Sequence, residues 1–202
     1  MSTDISPVTH ATTLQERKLR YGHEGAVIWL TGLSASGKSS LSMALEQALC
    51  ARGYACYVLD GDNLRKGLNS NLGFSPQERS ENIRRAGEVA ALLADAGLIS
   101  ICAFISPYSE DRARARQACI HAFHEVYLAA DLATCEARDT KGLYQKARAR
   151  ELPNFTGISA PYEPPKNPDL ILNTAQESLS TSLEVLLSYV IKNLPLEELS
   201  HP

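Results

Sequence analysis

The stretch Gly32-Leu33-Ser34-Ala35-Ser36-Gly37-Lys38-Ser39 constrains the fold more than any other part of the chain. It fits G-x-x-x-x-G-K-[ST] at every fixed position, the pattern of a phosphate-binding loop. Glycines let the backbone curl so that consecutive N–H groups point at phosphate oxygens. Lys38 has the reach to meet the terminal phosphates, and the Ser39 hydroxyl suits a magnesium ion. A Gly/Ser-rich turn is the plain alternative, and the flanks oppose it. Ala26-Val27-Ile28-Trp29-Leu30 precedes the loop with the composition of a buried strand. After the loop, Leu41, Ala44, Leu45 and Ala48 share one helical face. Strand, loop, helix is the context the pattern requires.

The rest of the chain continues that alternation. Strands are expected at 54–59, 98–105, 125–130 and 169–173. Helices are expected at 77–96, 110–121, 132–138 and 176–192. The helix over 77–96 carries a stripe of Ile83, Ala86, Ala90 and Leu93. Thr13-Leu14-Gln15-Glu16 could be a capping box opening a short helix. Such alternation predicts an α/β fold: a mainly parallel five-stranded sheet with helices on both faces. Ligands in such sheets bind beyond the carboxyl ends of the strands.

Composition removes several function classes. A formal net charge of −3 gives no support to nucleic-acid or membrane-surface binding. No apolar run is long enough to span a bilayer, and residues 1–25 lack the apolar centre of a signal peptide. Five cysteines, odd in number and without a C-x-x-C, read as buried reduced thiols of a cytoplasmic protein.

Four segments at strand ends or beyond carry candidate chemistry. Asp60-Gly61-Asp62-Asn63 pairs two carboxylates, suited to a metal ion or a substrate hydroxyl; a turn with Asp62 as helix cap is the alternative. Ser75 should cap a helix with Pro76 in its first turn, which puts Arg79 and Asn82 on one face near its start. Arg and Asn there suit an anion and a base or ribose edge, or simply face solvent. Phe74 could stack on a flat ring or join the core. Ser106-Pro107 ends a strand at the sheet rim, with no base nearby in sequence to activate the serine. Residues 138–150 hold five Lys/Arg residues ahead of a Pro-rich run, either an exposed basic face or a closing lid.

Taken in order, these motifs resemble the adenylylsulfate kinase (APS kinase) family. The resemblance runs from Gly22 to Asn173. It is carried by W-L-T-G-L-S-A-S-G-K-S, D-G-D-N-L-R, L-G-F-S with R-S-E-N-I-R-R, F-I-S-P-Y, C-E-A-R-D with K-G-L-Y-Q-K-A-R, and F-T-G-I with P-Y-E-P-P. The phosphate loop is common to many families; the ordered set is far more specific. Arg150 and Pro153 stand where the family more usually has glycine and lysine. Thr140 replaces a common proline, and Asn173-Thr174 replaces Asp-Thr.

The resemblance implies a P-loop NTPase-type three-layer fold and a free-standing enzyme. It implies transfer of a phosphoryl group from ATP to the 3′-hydroxyl of adenosine 5′-phosphosulfate. ATP would be held by Gly32, Leu33, Ser34, Ala35, Ser36, Gly37, Lys38, Ser39 and Ser40, with Arg138 and Thr140 on the adenine side. Magnesium would be bound through Ser39 and Asp60. Asp62, Arg65, Phe74, Arg79, Asn82, Ile105, Ser106, Lys141 and Leu143 would line the acceptor pocket. Lys38, Asp62 and Ser106 would be the catalytic candidates, with direct in-line transfer the preferred route. A kinase domain over 26–193 is expected, with a lid around 138–165, an extension over 1–25 and a tail over 194–202. A homodimer and a functional link to an ATP sulfurylase are also implied. Another small-molecule kinase on this fold, or a non-catalytic nucleotide sensor, are the alternatives.

Overall fold

A computed structural model describes residues 8–197. The outermost parts of the expected extension and tail, residues 1–7 and 198–202, lie outside the described residues. The chain runs α1 (Leu14–Tyr21), β1 (Ala26–Thr31), α2 (Lys38–Cys50), β2 (Cys56–Asp60), α3 (Gly61–Arg65), α4 (Pro76–Asp95) and β3 (Ile99–Ala103). It continues through α5 (Ser109–Ala118), β4 (Ala122–Leu128), α6 (Leu132–Ala137), α7 (Leu143–Arg148), β5 (Leu170–Leu172) and α8 (Leu179–Asn193). The five strands pair in the order β2-β3-β1-β4-β5, and every pairing is parallel.

β1 is central and its six residues are all buried, as a strand covered on both faces must be. Its side chains alternate between two cores. Ile28 and Leu30 pack with Leu41, Leu45 and Leu49 of α2 and with Leu186 and Val190 of α8. Val27 and Trp29 pack with Ile83, Ala86, Ala90 and Ala94 of α4 and with Ala115 of α5. Each fully buried Leu or Ile here contributes roughly 1.5–3 kcal/mol relative to exposure. The result is three layers, α2 and α8, the sheet, then α4 and α5. Trp29 stacks between Phe104 and Phe123, with ring centroids at 5.1 and 5.7 Å.

Several boundaries differ from those expected. The capping box of α1 is formed, with Thr13 accepting from Glu16 N and Glu16 accepting from Thr13 N. β4 begins at Ala122, three residues early, because Ala122–His124 pair with Ala26–Ile28. α5 stops at Ala118, where Cys119 turns to an extended backbone. α8 begins later than expected, because the Ser178 side chain caps it. At the end of the α4 stripe the fully buried residue is Ala94, while Leu93 is only partly buried. α3 and α7 add to the helices with expected bounds: α3 starts where a helix cap is the alternative reading of the Asp60-Gly61-Asp62 turn, and α7 lies within the basic 138–150 segment. Cys50 is exposed and Cys56 half-buried, against the expectation of buried thiols; their Sγ atoms lie 3.5 Å apart.

Candidate active site

The phosphate loop joins the end of β1 to the start of α2. A Cβ on Gly32 would sit 2.9 Å from the carbonyl oxygen of Leu128, so no larger residue fits against β4. Gly37 takes φ +99°, which glycine adopts without strain, and α2 begins on the next residue. The loop is tied from behind. Thr174 Oγ1 donates to Ser36 O at 2.9 Å, and Tyr144 OH donates to Ser34 O at 2.9 Å. Lys38 Nζ donates to Gly32 O at 2.9 Å and to Leu33 O at 2.6 Å. Burial pushes the Lys38 ammonium down to about 8, because a low-dielectric site disfavours the charged form.

β2 delivers Asp60 to the same region. Ser39 Oγ donates to Asp60 Oδ2 at 2.7 Å. Asp60 Oδ1 accepts from Asp62 N at 2.9 Å, so Asp60, not Asp62, caps α3. Asp62 is thereby free of capping and exposed, and Lys141 Nζ pairs with its Oδ2 at 2.6 Å. Both partners are largely exposed, so the pair adds little stability.

The turn before α4 is held by Arg65, whose Nη1 donates to Leu72 O at 3.0 Å and Gly73 O at 2.9 Å. Ser75 and Glu78 form a full capping box that starts α4, with Pro76 in its first turn. Phe74 stays out of the core at 56% exposure. The Arg65 and Arg79 guanidinium groups lie 4.3 and 5.4 Å from its ring centroid. Arg79 Nη2 donates to Asn154 O at 2.7 Å, tying α4 to the long loop after α7. Asn82, one turn further along α4, is buried.

At the rim after β3, Ser106 takes φ +40° and is only 1% exposed. Its hydroxyl accepts from Trp29 Nε1 at 3.1 Å and donates to Thr31 Oγ1 at 3.0 Å. Thr31 in turn donates to Ile105 O at 2.8 Å and meets Tyr162 OH at 3.0 Å. The Ser106 carbonyl accepts from Arg112 Nη1 at 2.7 Å. Arg112 also pairs with Glu125 at 2.6 Å and donates to Glu163 O at 2.8 Å. This buried guanidinium therefore joins α5, β4, the rim and the Pro-rich run.

These groups meet around a cavity of about 540 Å³ beyond the carboxyl ends of the strands. It is lined by Ser34, Ala35, Gly37, Lys38, Ser39 and Ser40 on the loop, and by Asp60 and Asp62. Arg65, Phe74, Arg79, Asn82, Ile105 and Ser106 line it as well, as do Arg138, Thr140, Lys141 and Leu143. Gly32, Leu33 and Ser36 do not; Leu33 faces a separate hollow with Tyr127, Gly157 and Pro164. Arg138 Nη2 donates to Thr174 O at 2.7 Å, which links the end of α6 to the phosphate loop through Thr174. Gly61, Phe104, Pro107 and Asp139 also line the cavity and were not among the expected site residues. Each adjoins a residue that was singled out, which is the signal that could have found them. Among the described residues no three His, Cys, Asp or Glu side chains are grouped as metal ligands. No helix among them is long and apolar enough to cross a membrane.

The comparisons with known proteins agree with this geometry. The family model for adenylylsulphate kinase matches residues 24–173. An adenylyl-sulfate kinase of Staphylococcus carnosus is 55% identical over 179 residues, covering 88% of this chain and 90% of its own length. An adenylyl-sulfate kinase of Geotalea uraniireducens is 54% identical over 172 residues, 85% of this chain and 83% of its own. The solved structure of a Mycobacterium tuberculosis APS kinase, in complex with AMPPNP and APS, superposes with a TM-score of 0.77 at 50% identity. That match covers 81% of this chain and 96% of the other. A family match over most of the chain, with all its motifs but the last pair contributing residues to one cavity, makes this chain a member of the adenylylsulfate kinase family.

Proposed function

We propose that the chain phosphorylates the 3′-hydroxyl of adenosine 5′-phosphosulfate with ATP, giving 3′-phosphoadenylylsulfate and ADP. The observation that carries this reading is one cavity lined both by a phosphate loop and by the Asp62, Arg65, Arg79 and Asn82 group. The loop amides and Lys38 would hold the triphosphate and stabilise charge that develops on the transferring group. Arg138 and Thr140 would lie on the adenine side. Ser39 and Asp60 present hard oxygen donors within 2.7 Å of each other, which fits magnesium. Bound there with ATP, magnesium supplies charge neutralisation across the phosphates.

Asp62 is the group that would orient the ribose hydroxyl and take its proton. Lys141, paired with Asp62, and Leu143 belong to the lid above it. Arg65 and Arg79 would meet the phosphosulfate oxygens, and the exposed Phe74 ring suits stacking on adenine. The Ser106 hydroxyl already serves Trp29 and Thr31, and among the described residues no carboxylate or imidazole hydrogen-bonds to it. That favours direct in-line transfer, with Ser106 and Ile105 shaping the rim. The homodimer, the sulfurylase link and the cytoplasmic setting implied by the resemblance belong to the same reading.

The test is ADP release by the purified protein with Mg-ATP, with and without adenylylsulfate, using gluconate and adenosine as control acceptors. Adenylylsulfate-dependent release that falls about 10²–10³-fold in Lys38→Ala is expected, the loss usual for one charge-stabilising donor. Release with another acceptor alone would overturn the substrate. Adenylylsulfate binding without release would mark a sensor.

A further inference from the structure

We infer that Asn69 is a positioning residue for the acceptor pocket, holding the Asn82 amide with its nitrogen toward the cavity. The inference rests on the functional reading above. Asn69 lies in the turn after α3 and is fully buried. Its backbone is pinned at both groups: its N–H donates to Leu64 O at 2.9 Å, and its carbonyl accepts from Leu72 N at 3.1 Å. Its side-chain Nδ2 donates to Asn82 Oδ1 at 3.1 Å. Its own Oδ1 is buried with no partner among the described residues.

The two ends of an amide have nearly the same shape, so hydrogen bonding decides which way it points. Reversing both amides would let Asn82 donate to Asn69. It would also strand both N–H donors of Asn69 in the place of one carbonyl oxygen. Buried donors without partners are rarer and more costly than an under-satisfied carbonyl. Asn69 is therefore the donor of the pair, and Asn82 Oδ1 is used up. The Asn82 Nδ2 remains for the cavity, beside Arg65 and Arg79. All three then offer donors only. That set matches the acceptor-only oxygens of a phosphosulfate or the ring nitrogens of a purine. A reversed Asn82 would set a carbonyl oxygen among them and repel such an edge.

The experiment compares Asn69→Ala, Asn82→Ala, the double variant and Asn69→Asp, each by melting temperature and by steady-state kinetics in both substrates. Asn69→Asp keeps the side-chain volume but can only accept when ionised, so it turns Asn82 round rather than releasing it. Asn69→Ala should raise the adenylylsulfate KM about tenfold, as a lost and misdirected polar contact does. The ATP KM should stay within about twofold, and the double variant should be no worse than Asn82→Ala alone. If Asn69→Ala does not fold, the same KM split in Asn69→Asp carries the test. An unchanged adenylylsulfate KM, an equal rise in both KM values, or additive losses would overturn the positioning role. So would an Asn82→Ala enzyme that still turns over with an unchanged adenylylsulfate KM, and that outcome leaves the function standing. Absence of any adenylylsulfate-dependent ADP release by the unaltered protein would instead overturn the functional reading itself.

Discussion

Arg150 adopts φ +64°, a left-handed backbone that suits glycine rather than arginine. It sits just past the end of α7, where Glu151 N bonds to Lys146 O at 2.9 Å and Arg150 N to Ala147 O at 3.0 Å. That pair of bonds is the Schellman ending, and its left-handed residue is normally Gly. Holding a side chain there costs roughly 1–2 kcal/mol, while glycine would lose about 0.5–1 kcal/mol more chain entropy on folding. Arg150→Gly should therefore stabilise the protein by about 0.5–1 kcal/mol, a rise of roughly 1–4 °C in Tm for a chain of this size. A thermal melt checks it, and an unchanged or lower Tm would refute the strain argument. The family more usually has glycine at this position, so the departure was legible in the sequence. Its conformational meaning was not, because φ depends on where α7 ends.

α7 is a helix of six residues, too short to persist on its own. Its cap residue, Gly142, offers no side chain, so its first amides need partners from elsewhere. Asp139 supplies them: Oδ1 accepts from Leu143 N at 2.8 Å, and Oδ2 from Tyr144 N at 2.7 Å and Gln145 N at 3.2 Å. Tyr144, fully buried in the small core with Ala130 and Cys135, then holds the helix against the phosphate loop. Asp139→Ala should cost about 1–2 kcal/mol, as the loss of a strong cap does. The loss should surface first as faster amide hydrogen exchange across 143–148; unchanged exchange there would refute the capping role. This element also marks where sequence reading stops. β1 was legible as an unbroken apolar run ahead of the loop, and α2 and α4 by their helical period. α3 and α7 carry none, being five and six residues long, and both are capped by a side chain whose reach the spacing alone does not reveal. Asp62 could equally have been the cap of α3; only the 2.9 Å bond to Asp60 decides it. Asn69 meets Asn82 and Arg112 meets Glu125 across 13 positions, and no local pattern announces those contacts.

Because all strands run parallel, the molecule has one end for chemistry and one for closing the fold. The carboxyl ends of the strands hold the cavity. At the other end the segment after α8 packs beside the start of β1: Glu197 N bonds to Gly22 O at 2.6 Å, and Tyr54 OH to Leu194 O at 2.9 Å. His23 is the hinge of that end and is fully buried. Its Nδ1 lies 2.9 Å from the Glu24 carbonyl oxygen, and its Nε2 lies 2.9 Å from Ala55 N. A carbonyl can only accept and a backbone N–H can only donate. The ring is therefore the neutral tautomer protonated at Nδ1, anchoring the edge strand β2 at its start. Burial lowers the His23 pKa from its ordinary 6.5, against the smaller opposing effect of the Glu24 carbonyl. The unfolded chain then binds a proton, as pH falls below about 6.5, that the folded chain refuses. The stability from this site is complete above that pH and drains away below it, by at most about 1.4 kcal/mol per pH unit. His124, whose pKa burial also lowers, adds in the same direction. Melting temperature should accordingly fall between pH 7.5 and 5.5, and the fall should shrink in His23→Gln, which cannot take up that proton. Since His23 lies at the opposite end of the strands from the cavity, His23→Gln should leave both substrate KM values unchanged at pH 7.5. A pH slope that survives intact in His23→Gln would move the acid sensitivity elsewhere in the molecule.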